Sequence, residues 1–335
     1  MYREAAQAPD AVREQLQANA ARVARLTERL RQAPPRAVVT CARGSSDHAA
    51  TFARYLIETR LGLLTSSAAP SVSSVYDARP DLSGALVLAI SQSGASPDLL
   101  AFVSGARAAG AYIVALVNAE NSPLAQLADE LIPLGAGLER SVAATKSYIA
   151  SLAAIVHLVA NWTRDVQLAA ALQQSPELLE RAWALDWSAA VTRLTPANNL
   201  YVVGRGLGLA IAQEAALKLK ETCGLHAEAV SAAELRHGPM ALVRAGFPLL
   251  IFTQNDESRT GVAQLASELA AQGADVLLAG GSAVGATILP TEVAHPVIEP
   301  LLYAQSFYRM ANALSLARGR DPDRPPHLHK VTETL

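Results

Sequence analysis

Ala85-Leu86-Val87-Leu88-Ala89-Ile90-Ser91-Gln92-Ser93-Gly94-Ala95-Ser96-Pro97 is the stretch on which the reading of this fold turns. Its first six residues are an uninterrupted apolar run, the pattern of a strand buried on both faces of a parallel sheet. The run empties into small hydroxylated residues, and a helical pattern follows over residues 97–109. Pro97 suits a first helical position, where a backbone N–H would have no intrahelical partner anyway. A strand–turn–helix junction of this kind can hold an anion, because the first helical N–H groups are unpaired and the helix dipole favours negative charge there. Three serine hydroxyls add donors that rotate, and Gly94 lets the backbone come close. Any one of these residues alone reads as a helix cap. Three Ser with Gln92 and Gly94 read as a phosphate loop.

Strand and helix patterns alternate on both sides of this junction. An amphipathic helix is expected over residues 10–31, closed by Pro34-Pro35. Residues 37–42 read as a buried strand ending in Arg43-Gly44-Ser45-Ser46, with a helix over residues 47–59. Further strands are expected at residues 71–76, 112–117 and 130–134, which predicts a parallel sheet covered on both faces. The same order then recurs. Tyr201-Val202-Val203-Gly204-Arg205-Gly206 matches the strand ending at Arg43-Gly44, an offset of 205 − 43 = 162, and Gln254 matches Gln92 at the same offset, 254 − 92 = 162. Gly273 answers Gly110 with one residue inserted. The expected fold class is therefore α/β, with two lobes of like topology from an internal duplication. Each lobe is a parallel β-sheet flanked by helices in a flavodoxin- or Rossmann-like three-layer sandwich. The expected boundaries are an N-terminal helix (1–35), a first lobe with connecting helices (36–192), a second lobe (193–320) and a tail (321–335).

The two copies differ in chemistry. The first keeps Gly44-Ser45-Ser46 and Ser91 to Ser96, whereas the second has Gly206-Leu207-Gly208 and Thr253-Gln254-Asn255-Asp256-Glu257, whose two carboxylates oppose phosphate. The anion site is assigned to the first lobe, beyond the carboxyl ends of its strands. Reactive groups gather in the second. Glu214, Lys218 and Glu221 fall at i, i+4 and i+7 of a helix and share a face. They are either a surface stripe of ion pairs or, given Ala215, Ala216, Leu217 and Leu219 around them, a partly enclosed carboxylate–lysine pair suited to proton transfer. His237, followed by Gly238-Pro239, either caps a short helix or faces a cleft. Glu234 and His237 are spaced like metal ligands, with His226 and Glu228 nearby, but no Cys/His cluster joins them and no metal is expected. The Pro-rich tail is either disordered or folds Lys330 over a pocket as a Schiff-base or oxyanion partner.

Composition sets limits. Of 335 residues, 51% are apolar and 17% charged, which describes a folded core and not a disordered chain. A net charge of −2 gives no electrostatic footprint for nucleic acid. No signal-peptide core or membrane span is legible, and Cys41 and Cys223 form no CxxC pair. The expected setting is the cytoplasm.

Taken together, Gly44-Ser45-Ser46, Ser91-Gln92-Ser93-Gly94-Ala95-Ser96, Val142-Ala143-Ala144-Thr145-Lys146, Ala216-Leu217-Lys218-Leu219-Lys220-Glu221 with His226-Ala227-Glu228-Ala229, Glu234-Leu235-Arg236-His237-Gly238-Pro239 and Leu328-His329-Lys330 resemble the sugar isomerase (SIS) family. That family includes the isomerase half of glucosamine-6-phosphate synthase and stand-alone amino-sugar-phosphate deaminases. The resemblance covers roughly residues 35–335. It implies that Gly44, Ser45, Ser46, Ser91, Gln92, Ser93 and Ser96 hold a sugar phosphate and that Val142 contributes backbone contacts. It further implies that Glu221 moves a proton between C1 and C2 with Lys218 close by. His237, donated by the neighbouring subunit of a homodimer, opens the sugar ring, and Lys330 meets the carbonyl or its imine. No cofactor is implied.

Three departures tilt the expectation from fixing ammonia to releasing it. Tyr2 follows Met1, where the synthase has a nucleophilic Cys, so no glutaminase activity is expected. Ala144 stands where the synthase pattern has Ser, and Lys330 runs into Val331-Thr332-Glu333-Thr334. The expected reaction is D-glucosamine 6-phosphate and water to D-fructose 6-phosphate and ammonia. A deglycase or aldose–ketose isomerase acting on another 6-phosphorylated sugar is the first alternative. A non-catalytic sugar-phosphate sensor is the second, and it is disfavoured because only about one helix precedes residue 37.

Overall fold

Apolar runs in the first half of the chain become parallel strands, and each is followed by a helix that covers it. In the computed structural model, which describes residues 1–328 and 330, α1 (Tyr2–Ala5) and the long α2 (Ala8–Gln32) lead into β1 (Ala37–Cys41). Then come α3 (Ser45–Leu61), β2 (Thr65–Ser67), α4 (Ser71–Ser74), β3 (Ala85–Ser91), α5 (Pro97–Ala108), β4 (Tyr112–Val117), α6 (Pro123–Leu127) and β5 (Glu130–Pro133). Four helices follow: α7 (Lys146–Thr163), α8 (Val166–Gln173), α9 (Ser175–Ala184) and α10 (Ser188–Leu194). The second series begins with β6 (Asn199–Gly204), α11 (Gly208–Cys223), β7 (His226–Ser231) and two 3-10 turns, Glu234–His237 and Pro239–Leu242. It closes with β8 (Pro248–Phe252), α12 (Arg259–Ala271), β9 (Asp275–Ala279), β10 (Thr287–Leu289) and α13 (Glu299–Ala317).

The chain forms two compact units. One holds β1 to β5 and comprises Asp10–Glu139 and Lys146–Gln173 with Lys330; the other holds β6 to β10 and comprises Met1–Pro9, Arg140–Thr145 and Gln174–Leu328. The first sheet has the order β2-β1-β3-β4-β5 and the second β10-β9-β8-β6-β7, which is the same winding read from the opposite edge. Every strand pair is parallel. Backbone conformation repeats with the topology. Gly44 and Gly206 both have φ of 56°, and the αL residues that end α3 and α11, Gly62 and Gly224, have φ of 66° and 60°. Both pairs are 162 residues apart (206 − 44 and 224 − 62), so the duplication is written in main-chain geometry as well as in strand order.

In the β1–β5 unit all seven residues of β3 are buried, as its unbroken apolar run requires. Leu99, Phe102, Val103 and Ala106 of α5 pack with Val87 and Ala89 of β3 and Ile113 and Ala115 of β4. Cys41 belongs to the same core, and burial pushes its thiol up to about 12, so the thiolate needed for reactivity does not form at neutral pH. In the β6–β10 unit Val203, Leu249, Ile251 and Leu278 of the sheet close on Val262, Leu265 and Leu269 of α12. Among the described residues no helix is long and apolar enough to cross a membrane.

One local expectation fails, and one strand was not foreseen. Residues 71–76 are not a strand: Pro70 adopts the αR region (φ −56°, ψ −27°), Ser74 N–H donates to its carbonyl at 2.9 Å, and α4 results. The edge position beside β1 is taken earlier, by β2, where Val38 N–H donates to Leu64 O and Ala68 N–H to Thr40 O. The β-favouring residues Val72, Val75 and Tyr76 mislead here, because Val75 and Tyr76 are exposed instead of buried. Conversely β7, with His226 and Glu228 exposed, was not legible as a strand, since it lies at a sheet edge and has little apolar content.

Gly94 has φ of 62°, and a Cβ there would lie 2.2 Å from Ser122 Oγ and 2.9 Å from Val117 Cγ2. Replacing Gly94 with Ala should destabilise the protein by roughly 2–4 kcal/mol in urea titration, combining overpacking with a disfavoured φ. Wild-type stability for that variant would show the loop to be free to move away.

Candidate functional site

Both serine loops leave the sheet at the carboxyl ends of adjacent strands, β1 and β3. Their connections run to opposite sides in the β2-β1-β3-β4-β5 order, which makes this gap the switch point of the sheet. Gly44 is the residue before α3, with Ser45 and Ser46 in its first turn. Ser91 ends β3 and Ser96 precedes α5, whose first residue is Pro97. All seven residues expected to hold phosphate thus gather at one edge of one sheet.

The way the loop satisfies itself differs from a simple backbone cradle. Ser91 Oγ accepts the Gly94 N–H at 2.9 Å, and Ser93 Oγ accepts the Ala95 N–H at 3.4 Å. Leu99 N–H donates to its neighbour's carboxylate, Asp98 Oδ1, at 2.8 Å. The hydroxyls therefore take up main-chain donors and keep their own protons for an incoming acceptor. Ser96 makes no side-chain cap to α5, so its hydroxyl is also uncommitted to the helix.

The corresponding switch point of the second sheet is filled. Gln254 is 1% exposed, and its Nε2 donates to Arg205 O at 2.9 Å and to Asp256 Oδ2 at 2.8 Å. A Cβ on Gly208 would lie 2.5 Å from Gln254 Oε1, so this side chain lies against the start of α11. Asn255 N–H donates to Glu299 Oε2 at 2.6 Å, bringing a further carboxylate to the loop. The divergence between copies is physical: one crevice is lined with hydroxyls, the other is occupied by an amide and carboxylates.

Glu214, Lys218 and Glu221 are enclosed, which decides between the two readings of their spacing. Lys218 is 1% exposed and lies between two carboxylates, with Nζ 2.5 Å from Glu221 Oε2 and 3.6 Å from Glu214 Oε1. Glu214 is fully buried and accepts the Tyr308 hydroxyl at 2.9 Å from α13, while Thr222 Oγ1 donates to Lys218 O at 2.8 Å. Of the three charges only Glu221, with 19% of its side chain exposed, opens to solvent. A carboxylate fixed by a buried ammonium and presented at the surface of an apolar helix can exchange a proton with a bound molecule. The sequence showed the i, i+4, i+7 face; Tyr308, far along the chain, it did not.

The other expected residues lie on separate elements. His237 ends the 3-10 turn Glu234–His237 and is exposed, with Leu235 buried beneath and Arg236 bonded to Glu268 Oε2 at 2.6 Å. It thus ends no α-helix, and Gly238, with φ of 143°, turns the chain away immediately after it. Val142 is half-buried in a segment held by Glu4, whose carboxylate accepts the Arg140 N–H at 2.5 Å and the Ser141 N–H at 3.2 Å. In the β1–β5 unit Lys330 Nζ lies 3.4 Å from Glu139 Oε2, and Glu139 accepts the Ser147 hydroxyl at 2.6 Å. His329 and residues 331–335, which belong to the tail motif, lie outside the described residues.

The sequence pattern of the SIS domain matches residues 30–161 and 193–280, one stretch on each of the duplicated sheets. The chain belongs to the SIS domain family. It is 34% identical over 311 residues to the isomerizing glutamine–fructose-6-phosphate aminotransferase of Aeropyrum pernix, covering 86% of this chain and 49% of that one. Against the same enzyme of Zymomonas mobilis it is 32% identical over 317 residues, or 88% and 51% of the two chains. The chain spans about half the length of these curated relatives. Among solved structures, a candidate phosphosugar isomerase from Silicibacter pomeroyi DSS-3 superposes with a TM-score of 0.92 at 44% identity, covering 96% of this chain and 98% of that one. The C-terminal domain of glucosamine-fructose-6-phosphate aminotransferase from Francisella tularensis gives 0.87 at 26% identity, over 97% and 98%. A glucosamine-6-phosphate deaminase from Thermotoga maritima shares the SIS fold at a TM-score of 0.78 and 21% identity, over 99% of both chains.

Replacing Lys218 by Met would leave Glu214 and Glu221 without their common counter-ion. Loss of one member of a buried ion cluster costs about 3–5 kcal/mol, so the variant should unfold at clearly lower urea concentration. An unchanged midpoint would mean that the carboxylates do not depend on Lys218.

Proposed function

We propose that this SIS protein is an amino-sugar-phosphate deaminase that converts D-glucosamine 6-phosphate and water to D-fructose 6-phosphate and ammonia. The observation that carries the reading is the Glu221 carboxylate, the single partly exposed member of an otherwise buried Glu214–Lys218–Glu221 cluster. A fully buried lysine is unlike a surface ion pair and suits a group that exchanges protons. The hydroxyl-lined switch point supports a phosphorylated substrate, and the names of the similar proteins support a sugar phosphate.

The chemistry then follows by acid–base steps. His237 exchanges protons with O1 and O5 to open the pyranose ring, and in this reading it is supplied by the second subunit of a two-fold dimer. Glu221 removes the C2 proton of the open-chain amino aldehyde, giving an enolamine, and returns a proton to C1. The product is the C2 ketimine, with a hydroxymethyl group at C1. Water adds to C2 and ammonia leaves, completing the ketose. Lys330 assists at the carbonyl or the imine, and the serine loops hold the phosphate throughout.

A second reading, aldose–ketose isomerisation or deglycation of another 6-phosphorylated sugar, is favoured by one observation. In this reading the serine loops hold the phosphate end and leave the far end of the sugar unspecified, and a tagatose-6-phosphate ketose/aldose isomerase from Escherichia coli shares the fold with a TM-score of 0.78. A coupled assay for ammonia and ketose 6-phosphate across a panel of amino-sugar and sugar phosphates decides between them.

Glu221→Gln should lower kcat by ~10²–10⁴-fold with the fold intact; turnover near wild type would remove Glu221 as the base. Ser93→Ala deletes a hydroxyl donor to a charged oxygen, worth ~1.5–3 kcal/mol, and should weaken substrate binding ~10- to 100-fold by titration calorimetry. Unaltered affinity would place the phosphate elsewhere.

A further inference from the structure

Arg43 is carried by the same loop as Gly44, Ser45 and Ser46, yet none of the steps above uses it. Its guanidinium reaches from the end of β1 to the start of α5, with Nε 2.7 Å and Nη2 2.5 Å from Asp98 Oδ2. Asp98 is the second residue of α5 and its side chain is 1% exposed, whereas that of Arg43 is 49% exposed. The other Asp98 oxygen holds the Leu99 N–H. A buried carboxylate therefore stands in the first turn of the helix that follows the serine loop. Left uncompensated it would cancel the positive end of the α5 dipole and oppose a dianion bound at the loop.

The duplicated half offers an internal control. Arg205 occupies the position equivalent to Arg43 (43 + 162), but Thr260 occupies that of Asp98 (98 + 162). Arg205 Nη1 donates instead to Ser231 Oγ at 3.3 Å. Arginine and aspartate occur as a pair only in the copy that keeps the serine loops.

We propose that Arg43 is a positioning residue of the phosphate site: it neutralises Asp98 at the amino end of α5 and thereby keeps the hydroxyl cradle attractive to a phosphate dianion. This rests on reading the cradle as phosphate-binding, but not on the identity of the sugar or of the reaction. Two roles must be separated, since the bridge also ties the two loops together. A tether is lost whichever partner is removed. Charge cancellation is lost when the arginine alone is removed and restored when the carboxylate goes too.

The experiment titrates D-glucosamine 6-phosphate and inorganic phosphate into the full chain and into R43A, R43K, D98N and R43A/D98N, with unfolding followed in parallel. R43A should bind both probes about 10- to 100-fold more weakly than wild type. R43A/D98N should return to within about threefold of wild type, and D98N alone should bind no more weakly than wild type. R43K keeps the charge without the fork and should lose no more than about threefold, so the proposal remains testable if R43A does not fold. It is overturned if R43A binds like wild type, if R43A/D98N is as weak as R43A, or if R43K loses as much as R43A. Ammonia release by wild type, assayed alongside, separates the readings. Phosphate binding without turnover overturns the proposed reaction and leaves Arg43 standing, whereas absence of binding by wild type overturns both.

Discussion

A parallel sheet whose strands run 2-1-3-4-5 has one place where neighbouring strands send their chains to opposite faces, and the structure is organised around that gap. Helices cover both faces of the sheet, and its loops part at the carboxyl edge. The gap between β1 and β3 is lined by Gly44, Ser45, Ser46 and Ser91 to Ser96; the gap between β6 and β8 is filled by Gln254. Duplication supplied two equivalent crevices and divergence retained one. The repeated positive-φ glycines show how closely the main chain was copied while the side chains at this edge changed.

The second unit made a different use of the same scaffold. Its helix after the first strand, α11, carries a buried lysine between two glutamates where α3 carries none. Buried charges are tolerable only when paired and hydrogen-bonded, and the Tyr308 hydroxyl supplies one such bond to Glu214. In the proposed function, the charges that burial makes expensive sit on a helix, the element best able to hold their geometry, and the phosphate is left to loops.

Much of this was legible in the sequence because both signals are local. An unbroken apolar run ending in Ser91 and Gly94 gives a buried strand and its loop, and a recurring offset of 162 gives the second sheet. Spacing alone put Glu214, Lys218 and Glu221 on one face. Illegible were features set by partners distant in sequence or by sheet-edge position. Asp98 reads as an ordinary first-turn acid until Arg43, 55 residues earlier, is seen on it. Tyr308 is 94 residues from the Glu214 it supports. Strand β2 is three residues long and β7 is polar on one side, so neither has the apolar content that marks a central strand, while exposed Val75 and Tyr76 imitate one.

The use of serine Oγ atoms to take up the N–H groups of Gly94 and Ala95 bears on which ionic form of a ligand the loop tolerates. A nest of amide protons can only donate, and it penalises an oxygen that carries hydrogen. A hydroxyl can swing its proton aside and receive one instead, at the expense of a low torsional barrier. Phosphate monoesters change from dianion to monoanion near about pH 6, so a rim of this type greets either species by rotor adjustment, without moving the peptide backbone.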